Sequence, residues 1–334
     1  SCTSLRRRDN IWLATVEDTV TGKRREISAK AVVNAAGPWV NDIIGRVAGS
    51  NSSRSVKLVK GSHIIVPKFW DGPQAYLVQN TDKRVIFINP YEGDKALIGT
   101  TDIAYEGDPD DVSADAEEIA YLIAAVNRYF ERPIRTEDVI EAFSGVRPLF
   151  DDGKGNPSAI TRDYVLDLDQ SSGAPLLNIF GGKITTYRQL ALSAMKDLKE
   201  YYPNMGKEWT HAHPLPGGDM SNDHQAFAQK LVQEFPFLTQ AQAKRFTGNY
   251  GALAYVLLGE ATTVRDLGEC FGQDLYQKEV AYLIEHEWAR TAEDILWRRS
   301  KLGLEFTTEQ CARLESYLKS ELASDEILIS EQIA

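Results

Sequence analysis

Cysteine is almost missing from these 334 residues: Cys2, Cys270 and Cys311 are the only three. An odd number at spacings that match no zinc or redox pattern gives no disulfide framework, and inert thiols in a reducing compartment are expected. Histidine is scarce too, with five in the chain. His211-Ala-His213 resembles half a metal site, but no Cys or His cluster supplies the other ligands, so no metal is expected. No run approaches the ~18 uninterrupted apolar residues of a membrane-spanning helix. The chain does not open on an apolar run with a basic flank, so no signal peptide is read and a cytoplasmic location is the default. Positive charge is in deficit: 37 Lys and Arg face 48 Asp and Glu, a net of −11. Nucleic-acid binding, which works through cationic side chains that displace counterions, is disfavoured.

The glycine fingerprint of a dinucleotide fold is missing as well. Gly153-Lys154-Gly155 is the only G-x-G. Position 158 is serine and no strand precedes it, so the segment reads as a loop. Either the protein binds no dinucleotide, or the segment that cradles a pyrophosphate lies upstream of Ser1.

What remains is an ordinary globular composition, 43% hydrophobic and 25% charged, in a chain long enough for about two domains. The charge is unevenly spread. Residues 1–60 hold eleven Lys or Arg and five Asp or Glu, a local net of +6, which leaves −17 for the rest. This reads either as a solvated basic face around Arg6-Arg7-Arg8 or as a surface turned toward an acidic partner or another part of the protein. A strand pattern begins at once, Ile11-Trp12-Leu13-Ala14-Thr15-Val16, turns at Thr21-Gly22 and runs on to Ala31-Val32-Val33-Asn34-Ala35-Ala36. A chain that starts within a β-meander is expected to be truncated.

Residues 56–101 have the pattern of an antiparallel sheet. Residues 59–67 read as one strand with a glycine irregularity and 75–79 as a second, while 85–88 and 96–99 flank a hairpin loop at 90–94. The first helix is expected over 113–130. Ser113 caps it, and Asp115, Glu117 and Glu118 place negative charge in its positive first turn. Ile119, Leu122, Ile123, Val126 and Phe130 form its apolar stripe, and Pro133 stops it. Pro175-Leu176-Leu177-Asn178-Ile179-Phe180 reads as a buried strand, and a helix follows from about 185 to 201. The segment 203–218, with Pro203, Pro214, Pro216, Gly217 and Gly218, marks a domain boundary. Beyond it the signals are helical: Ser221 and Thr239 open two helices, residues 279–284 sit in a third, and Thr307-Thr308-Glu309-Gln310 offers a capping box for a last helix ending near Leu322. A mixed α and β unit followed by an α-helical cap is the architecture expected.

Four places could carry chemistry. At Phe180-Gly181-Gly182-Lys183-Ile184-Thr185-Thr186-Tyr187-Arg188 a buried strand meets two glycines and then a helix. Such a junction lets another group approach the backbone and offers unpaired N–H groups to negative charge, as a reduced flavin carries near N1; a tight turn that needs glycine for geometry alone fits equally. In Phe143-Ser144-Gly145-Val146-Arg147-Pro148-Leu149, Arg147 stands in an apolar run and must find an anion, either a ligand or a structural carboxylate. Arg162 is a second cation near apolar positions, with Asp163 at hand to neutralise it. His63, in Lys60-Gly61-Ser62-His63, reads as a satisfied strand histidine, or as a proton acceptor if Arg147 and Lys183 face the same cavity.

These strings, with Val33-Asn34-Ala35-Ala36-Gly37-Pro38-Trp39-Val40, Ile98-Gly99-Thr100-Thr101-Asp102, Ala159-Ile160-Thr161-Arg162-Asp163-Tyr164 and, near the end, His286-Glu287-Trp288 and Asp294-Ile295-Leu296-Trp297-Arg298-Arg299, are similar to those of the bacterial aerobic, FAD-dependent glycerol-3-phosphate dehydrogenases. That family lies within the D-amino-acid-oxidase-like flavoproteins. The resemblance runs over essentially the whole chain, but the family's N-terminal strand–glycine loop–helix is absent, so the chain resembles the C-terminal two-thirds of the enzyme. The fold class it implies is α+β: an antiparallel-sheet substrate domain with remnants of a Rossmann-type FAD domain, then an all-α C-terminal cap. The divisions expected are 1–45 for part of the FAD domain, 46–170 for the substrate sheet with one helix, 171–202 for a returning strand and helix, 203–220 for a linker and 221–334 for the cap.

The resemblance further implies oxidation of sn-glycerol 3-phosphate to dihydroxyacetone phosphate, with hydride passing to FAD and electrons to membrane quinone. Arg147, Arg162 and Lys183 would hold the substrate, whose near-dianionic phosphate suits paired charge-assisted hydrogen bonds. His63 would accept the C2 hydroxyl proton while Arg147 stabilises the developing alkoxide. Gly181, Gly182, Lys183, Ile184 and Thr185 would line the flavin, and Ala36 and Gly37 would pass it on the other side. Without the pyrophosphate cradle, FAD affinity and activity are expected to be lost or much reduced. A homodimer and a peripheral inner-membrane location of the full-length enzyme belong to the same expectation. Two alternatives stay open: an amine or amino-acid oxidase of the same superfamily, in which an Arg binds a carboxylate, and a non-catalytic module mediating dimer or membrane contact.

Overall fold

The computed structural model describes residues 1–50, 52–151, 163–170, 173–220 and 222–333, with residues 324–333 in backbone alone. Two units divide between Glu208 and Trp209, inside the proline- and glycine-punctuated segment.

In the N-terminal unit, β1 (Cys2–Arg8), β2 (Ile11–Glu17) and β3 (Arg24–Ala29) form an antiparallel sheet in that order. Trp12 is buried, and its indole N–H donates to the Pro175 carbonyl at 2.9 Å. Arg7 stacks 4.5 Å from the Trp12 ring centre and meets the Asp169 carboxylate at 2.9 Å. Other cations of the basic stretch also find carboxylates in this unit, Arg6 on Glu26, Arg24 on Glu17 and Arg54 near Asp167. The excess itself is answered by carboxylates beyond residue 60 in the same unit: Asp169 on Arg7, Asp167 near Arg54, Asp151 on Lys57 and Glu118 on Lys60.

β4 (Val32–Asn34) leads through a helical turn into α1 (Val40–Asp42). There follow β5 (Val56–Pro67), β6 (Tyr76–Gln79), β7 (Val85–Tyr91), β8 (Lys95–Gly99), β9 (Ile103–Tyr105), α2 (Ala116–Val126), β10 (Glu141–Phe150), β11 (Tyr164–Asp169), β12 (Leu176–Gly181) and α3 (Tyr187–Asp197). The large sheet is antiparallel, in the order β10-β5-β8-β7-β6, with β9 beside β5. Contrary to the expected glycine irregularity, β5 is a regular twelve-residue strand, and Gly61 pairs Gly145 in an unbroken register from Val56 to Ile65. One face of this sheet packs Ile64, Val66, Ile86, Ile88 and Ile98 against Leu122, Ala125 and Val126 of α2, a period-two pattern meeting a period-3.6 one.

The helix boundaries shift inward. Asp115, not Ser113, caps α2, in a capping box with Glu118, and the helix ends at Val126 before Phe130. Ser113 instead gives its carbonyl to Lys60. In the third, smaller sheet, β12 lies between antiparallel β11 and parallel β4. The buried pair Asn34 and Asn178 sits at the end of the parallel register: the Asn34 amide donates to Asn178 Oδ1 at 2.9 Å and to the Val40 carbonyl at 3.0 Å. One side chain thus ties the strand to the turn that follows it.

The C-terminal unit carries α4 (His224–Glu234), α5 (Gln240–Tyr250), α6 (Ala254–Leu258), the short hairpin β13 (Cys270–Gly272) and β14 (Leu275–Tyr276), α7 (Gln277–Glu287) and α8 (Thr308–Ile333). Thr239 and Thr307 cap as expected, but Asp223 caps α4 where Ser221 was expected, and α8 continues past Leu322. Its core is one apolar cluster around Leu231, Phe246, Leu257, Val280, Leu283 and Leu314. Within it Glu279 is buried, met by Arg245 at 2.5 Å and by the Tyr250 hydroxyl at 2.7 Å. His213 holds its own loop, its Nδ1 lying 3.0 Å from the Trp209 carbonyl. Among the described residues, no helix is long and apolar enough to cross a membrane.

Candidate active site

Alternation along two paired strands decides which side chains share a face. On β5, residues 60, 62 and 64 point toward α2, so Val59, Gly61 and His63 point the other way. On β10, Phe143 pairs His63, Gly145 pairs Gly61 and Arg147 pairs Val59. One face therefore presents His63 and Phe143 at one end, Arg147 at the other, and two glycines between them.

Two positions on or beside this face, Gly61 and Gly99, have no room for a Cβ, whereas Gly145 has open space. A Cβ on Gly61 would stand 2.4 Å from Arg147 Nη1 and 2.5 Å from Thr100 Oγ1, so the guanidinium lies across this residue. A Cβ on Gly99, the partner of His63 on β8, would stand 2.1 Å from His63 Cδ2. The imidazole lies flat on the half-exposed Phe143 ring, centroids 5.2 Å apart and planes 10° apart.

Arg147 finds the anion that its setting demanded. Its Nη1 donates to Asp102 Oδ1 at 3.0 Å and its Nη2 to Thr100 Oγ1 at 3.1 Å. Thr100 donates its own hydroxyl proton to the Thr101 carbonyl at 2.9 Å, which leaves its oxygen facing the guanidinium. The carboxylate partner was one of the two readings left open for Arg147. It does not close the residue off: the Arg147 side chain keeps 30% of its surface exposed, against 17% for Asp102. A guanidinium fixed on one edge by a carboxylate can still offer donors on another. Burial, and after it the positive charge of Arg147, hold His63 below the ordinary imidazole pKa. A neutral imidazole next to a fixed cation can accept a proton.

Behind this face a second cluster escaped the sequence reading. Glu118, assigned there to the helix dipole, instead turns inward with 2% of its side chain exposed. Its Oε1 accepts from Ser62 Oγ and Thr101 Oγ1, both at 2.7 Å, and its Oε2 meets Lys60 Nζ at 2.7 Å. Burial opposes the charge of Lys60, but hydrogen bonds to Glu118 and Asp115 outweigh it and raise its pKa. The available signal was helical: Glu118, Leu122 and Ala125 fall on one buried stripe, where a carboxylate needs a partner.

A third group of candidates lies where β4 and β12 end side by side, and carboxyl ends of parallel strands are where such sheets bind ligands. Gly37 follows β4 at φ +56°, where a Cβ would lie 3.9 Å from Pro148, the neighbour of Arg147; Ala36 is held by its N–H to Asn34 Oδ1. Gly181 and Gly182 end β12 at φ +72° and +101°. A Cβ on Gly181 would come within 3.0 Å of the Asp163 carbonyl and 3.2 Å of the Phe150 N–H nitrogen. The turn geometry thus accounts for the glycine, and the same geometry sets the turn against β10. The helix expected from about residue 185 to 201 is shorter: Ile184–Thr186 form a single 3-10 turn closed by Thr186 onto the Lys183 carbonyl, and α3 runs only from Tyr187 to Asp197. Lys183, Ile184 and Thr185 are exposed there, Ile184 at 89%. The structure thus brings His63 and Arg147 together and sets the Gly37 and Gly181 turns against the strand of Arg147. It gives no contact between Lys183 and either of the first two, and Arg162 lies outside the described residues.

Residues 1–188 match the family model described as FAD dependent oxidoreductase, and residues 208–323 that described as the C-terminal domain of alpha-glycerophosphate oxidase. The chain is 56% identical over 96% of its length to the D-erythritol 1-phosphate dehydrogenase of Brucella abortus, and 44% identical over 95% to the aerobic glycerol-3-phosphate dehydrogenase of Escherichia coli. It spans 64% and 63% of those two proteins. Among solved structures, a glycerol-3-phosphate dehydrogenase from Bacillus halodurans complexed with FAD shares the fold, with a TM-score of 0.74 and 24% identity over 96% of this chain and 68% of that one. The chain belongs to the FAD-dependent oxidoreductase family.

Proposed function

We propose that this chain belongs to an FAD-dependent dehydrogenase that oxidises sn-glycerol 3-phosphate to dihydroxyacetone phosphate and passes the electrons to a membrane quinone. The observation that carries the reading is the pair on one sheet face: Arg147, fixed by Asp102 and Thr100 across Gly61, and the neutral imidazole of His63.

The residues fit one edge of a flavin. Two backbone turns with positive-φ glycines end adjacent parallel strands, and the exposed turn at 183–185 offers backbone N–H groups and the Lys183 ammonium to an anionic ring edge. Gly37, Gly181, Gly182, Lys183, Ile184 and Thr185 would hold it there, with Ala36 alongside. The pyrophosphate cradle is not encoded in these residues. When bound, FAD supplies the acceptor for the substrate's hydride.

The protein's own groups do the rest. Arg147 binds and orients an oxygen anion of the substrate and stabilises negative charge that grows on the reacting oxygen. His63 takes the hydroxyl proton, and Phe143 and Gly99 hold its ring in one plane for the transfer. Lys183 and Arg162 complete the phosphate clamp in this reading. A homodimer and peripheral membrane attachment of the whole enzyme belong to the same proposal.

One observation favours a second substrate, erythritol phosphate: the greater identity to a relative named for it. Both are polyol phosphate esters, and the two readings share the site. Reduction of an artificial acceptor by the full-length enzyme, compared for sn-glycerol 3-phosphate, erythritol phosphate and a set of D-amino acids, tests the choice. A higher kcat/KM for sn-glycerol 3-phosphate supports the first reading and a higher value for erythritol phosphate the second. Turnover of amino acids alone overturns both.

A further inference from the structure

We propose that Glu118 is a positioning residue for the substrate clamp, acting through Thr101 on Thr100 and Asp102, which both hold Arg147. The inference rests on the reading of Arg147 as a substrate-binding group.

Two of the three segments that build the site meet at this one carboxylate, and the third joins through Ser62. Thr101 stands between Thr100 and Asp102, which both accept from Arg147, and is itself almost fully buried. Its hydroxyl donates to Glu118 Oε1 and accepts from the Ser62 N–H at 2.9 Å, so both of its hydrogen-bonding directions are spoken for. Ser62 lies between Gly61, which the guanidinium crosses, and His63. Its Oγ donates to the same Oε1, and its one proton being so used, the Ser144 hydroxyl must donate to it across 2.6 Å. Ser144 in turn neighbours Phe143, the ring under His63. Lys60 closes the set on the other oxygen, Oε2, which also accepts from the Asp115 N–H at 3.2 Å.

Lys60, Ser62 and Ser144 turn away from the site face because β5 and β10 alternate, and Glu118 and Thr101 bond to Ser62 on that far side. The consequence is mechanical. Glu118 sets where the 100–102 segment lies relative to β5, and that segment sets where the guanidinium points. A guanidinium moved off the substrate's anion loses binding in the ground state and transition state alike, and that loss is read in KM.

The test uses the full-length enzyme with FAD bound. In Thr101→Val the methyl replaces the hydroxyl at constant shape, so the link is cut without opening a cavity. KM for sn-glycerol 3-phosphate is expected to rise about tenfold while kcat changes less than threefold. Thr101→Ser, which restores the hydroxyl, is expected to bring KM back to within about threefold of the original. Glu118→Gln is expected to raise KM in the same way, and if it does not fold, the threonine pair decides alone. Equal KM values for Thr101→Val and the unaltered enzyme overturn the proposal, as does an equal loss in Thr101→Val and Thr101→Ser. Arg147→Met is measured alongside. If it leaves KM unchanged, the clamp reading itself fails; if it raises KM and the threonine variants do not, only the positioning role falls.

Discussion

The imidazole of His63 rests between the ring of Phe143 and the bare backbone of Gly99, stacked on the first at 5.2 Å and leaving no room for a Cβ on the second. Two neighbouring strands, one on each side of β5, thus fix a single side chain in one plane. A fixed plane is what a proton acceptor needs and what a merely buried histidine does not.

Gly99→Ala tests that fit. The added methyl would lie 2.1 Å from His63 Cδ2 and must push the ring away. Turnover is expected to fall about a hundredfold, with a stability loss of about 1–3 kcal/mol from overpacking. Steady-state kinetics and thermal denaturation of the full-length enzyme check this. Unchanged turnover would show that the ring's position is immaterial.

The pH dependence has a definite sign. Burial first and Arg147 second lower the His63 pKa below 6.5, so the proton-accepting form persists below that value. The kcat/KM profile is expected to stay flat down through pH 6.5 and fall only at lower pH. Arg147→Met, which removes the second cause, moves the fall upward. For stability the unfolded chain binds the proton more readily than the folded one, so this group's contribution is present above about pH 6.5 and lost as the pH falls through the lowered value. An acid limb above 6.5 in the unaltered enzyme contradicts the assignment.

Asn34→Ala removes the donor to Asn178, leaving that buried amide oxygen unpaired, and takes one of two donors from the Val40 carbonyl, which keeps the Ile43 N–H. A loss of about 1–3 kcal/mol is expected from that one unpaired group. Because the Ala36–Gly37 turn hangs on the same side chain, the fraction of enzyme purified with bound FAD is expected to fall as well. Full flavin content with normal stability would separate this turn from the cofactor.

In the helical unit, Glu279→Leu leaves Arg245 a largely buried cation with the Asp274 carbonyl but without its bidentate carboxylate, and takes the acceptor from Tyr250. Burial and the Glu279 charge both push Tyr250 up, so its phenol stays a donor throughout the working range. The expected cost is about 3–5 kcal/mol, read from chemical denaturation. A change below about 1 kcal/mol would show that the pair is dispensable.

Much of the frame could be read from the chain itself. Short periodic segments, such as the hairpin around residues 90–94, the strand before Gly181 and the capping boxes at Thr239 and Thr307, depend on local chemistry that a sequence displays. Long-range pairings do not appear there. Gly61 reads as a defect until β10 is seen beside it, with Gly145 opposite and the Arg147 guanidinium across it. Asp102 stands 45 positions from Arg147 and carries no local mark of its role. Glu118 was given the nearest explanation, a helix dipole, because its partner Lys60 lies on a strand 58 residues earlier.

The most direct measurement is a crystal structure of the full-length enzyme with FAD and a non-oxidisable glycerol phosphate analogue. The account predicts a ligand oxygen within hydrogen-bond distance of the Arg147 guanidinium and the analogue's C2 substituent facing the imidazole of His63. An analogue seated beside the flavin but away from the face carrying Gly61, His63 and Arg147 would contradict it.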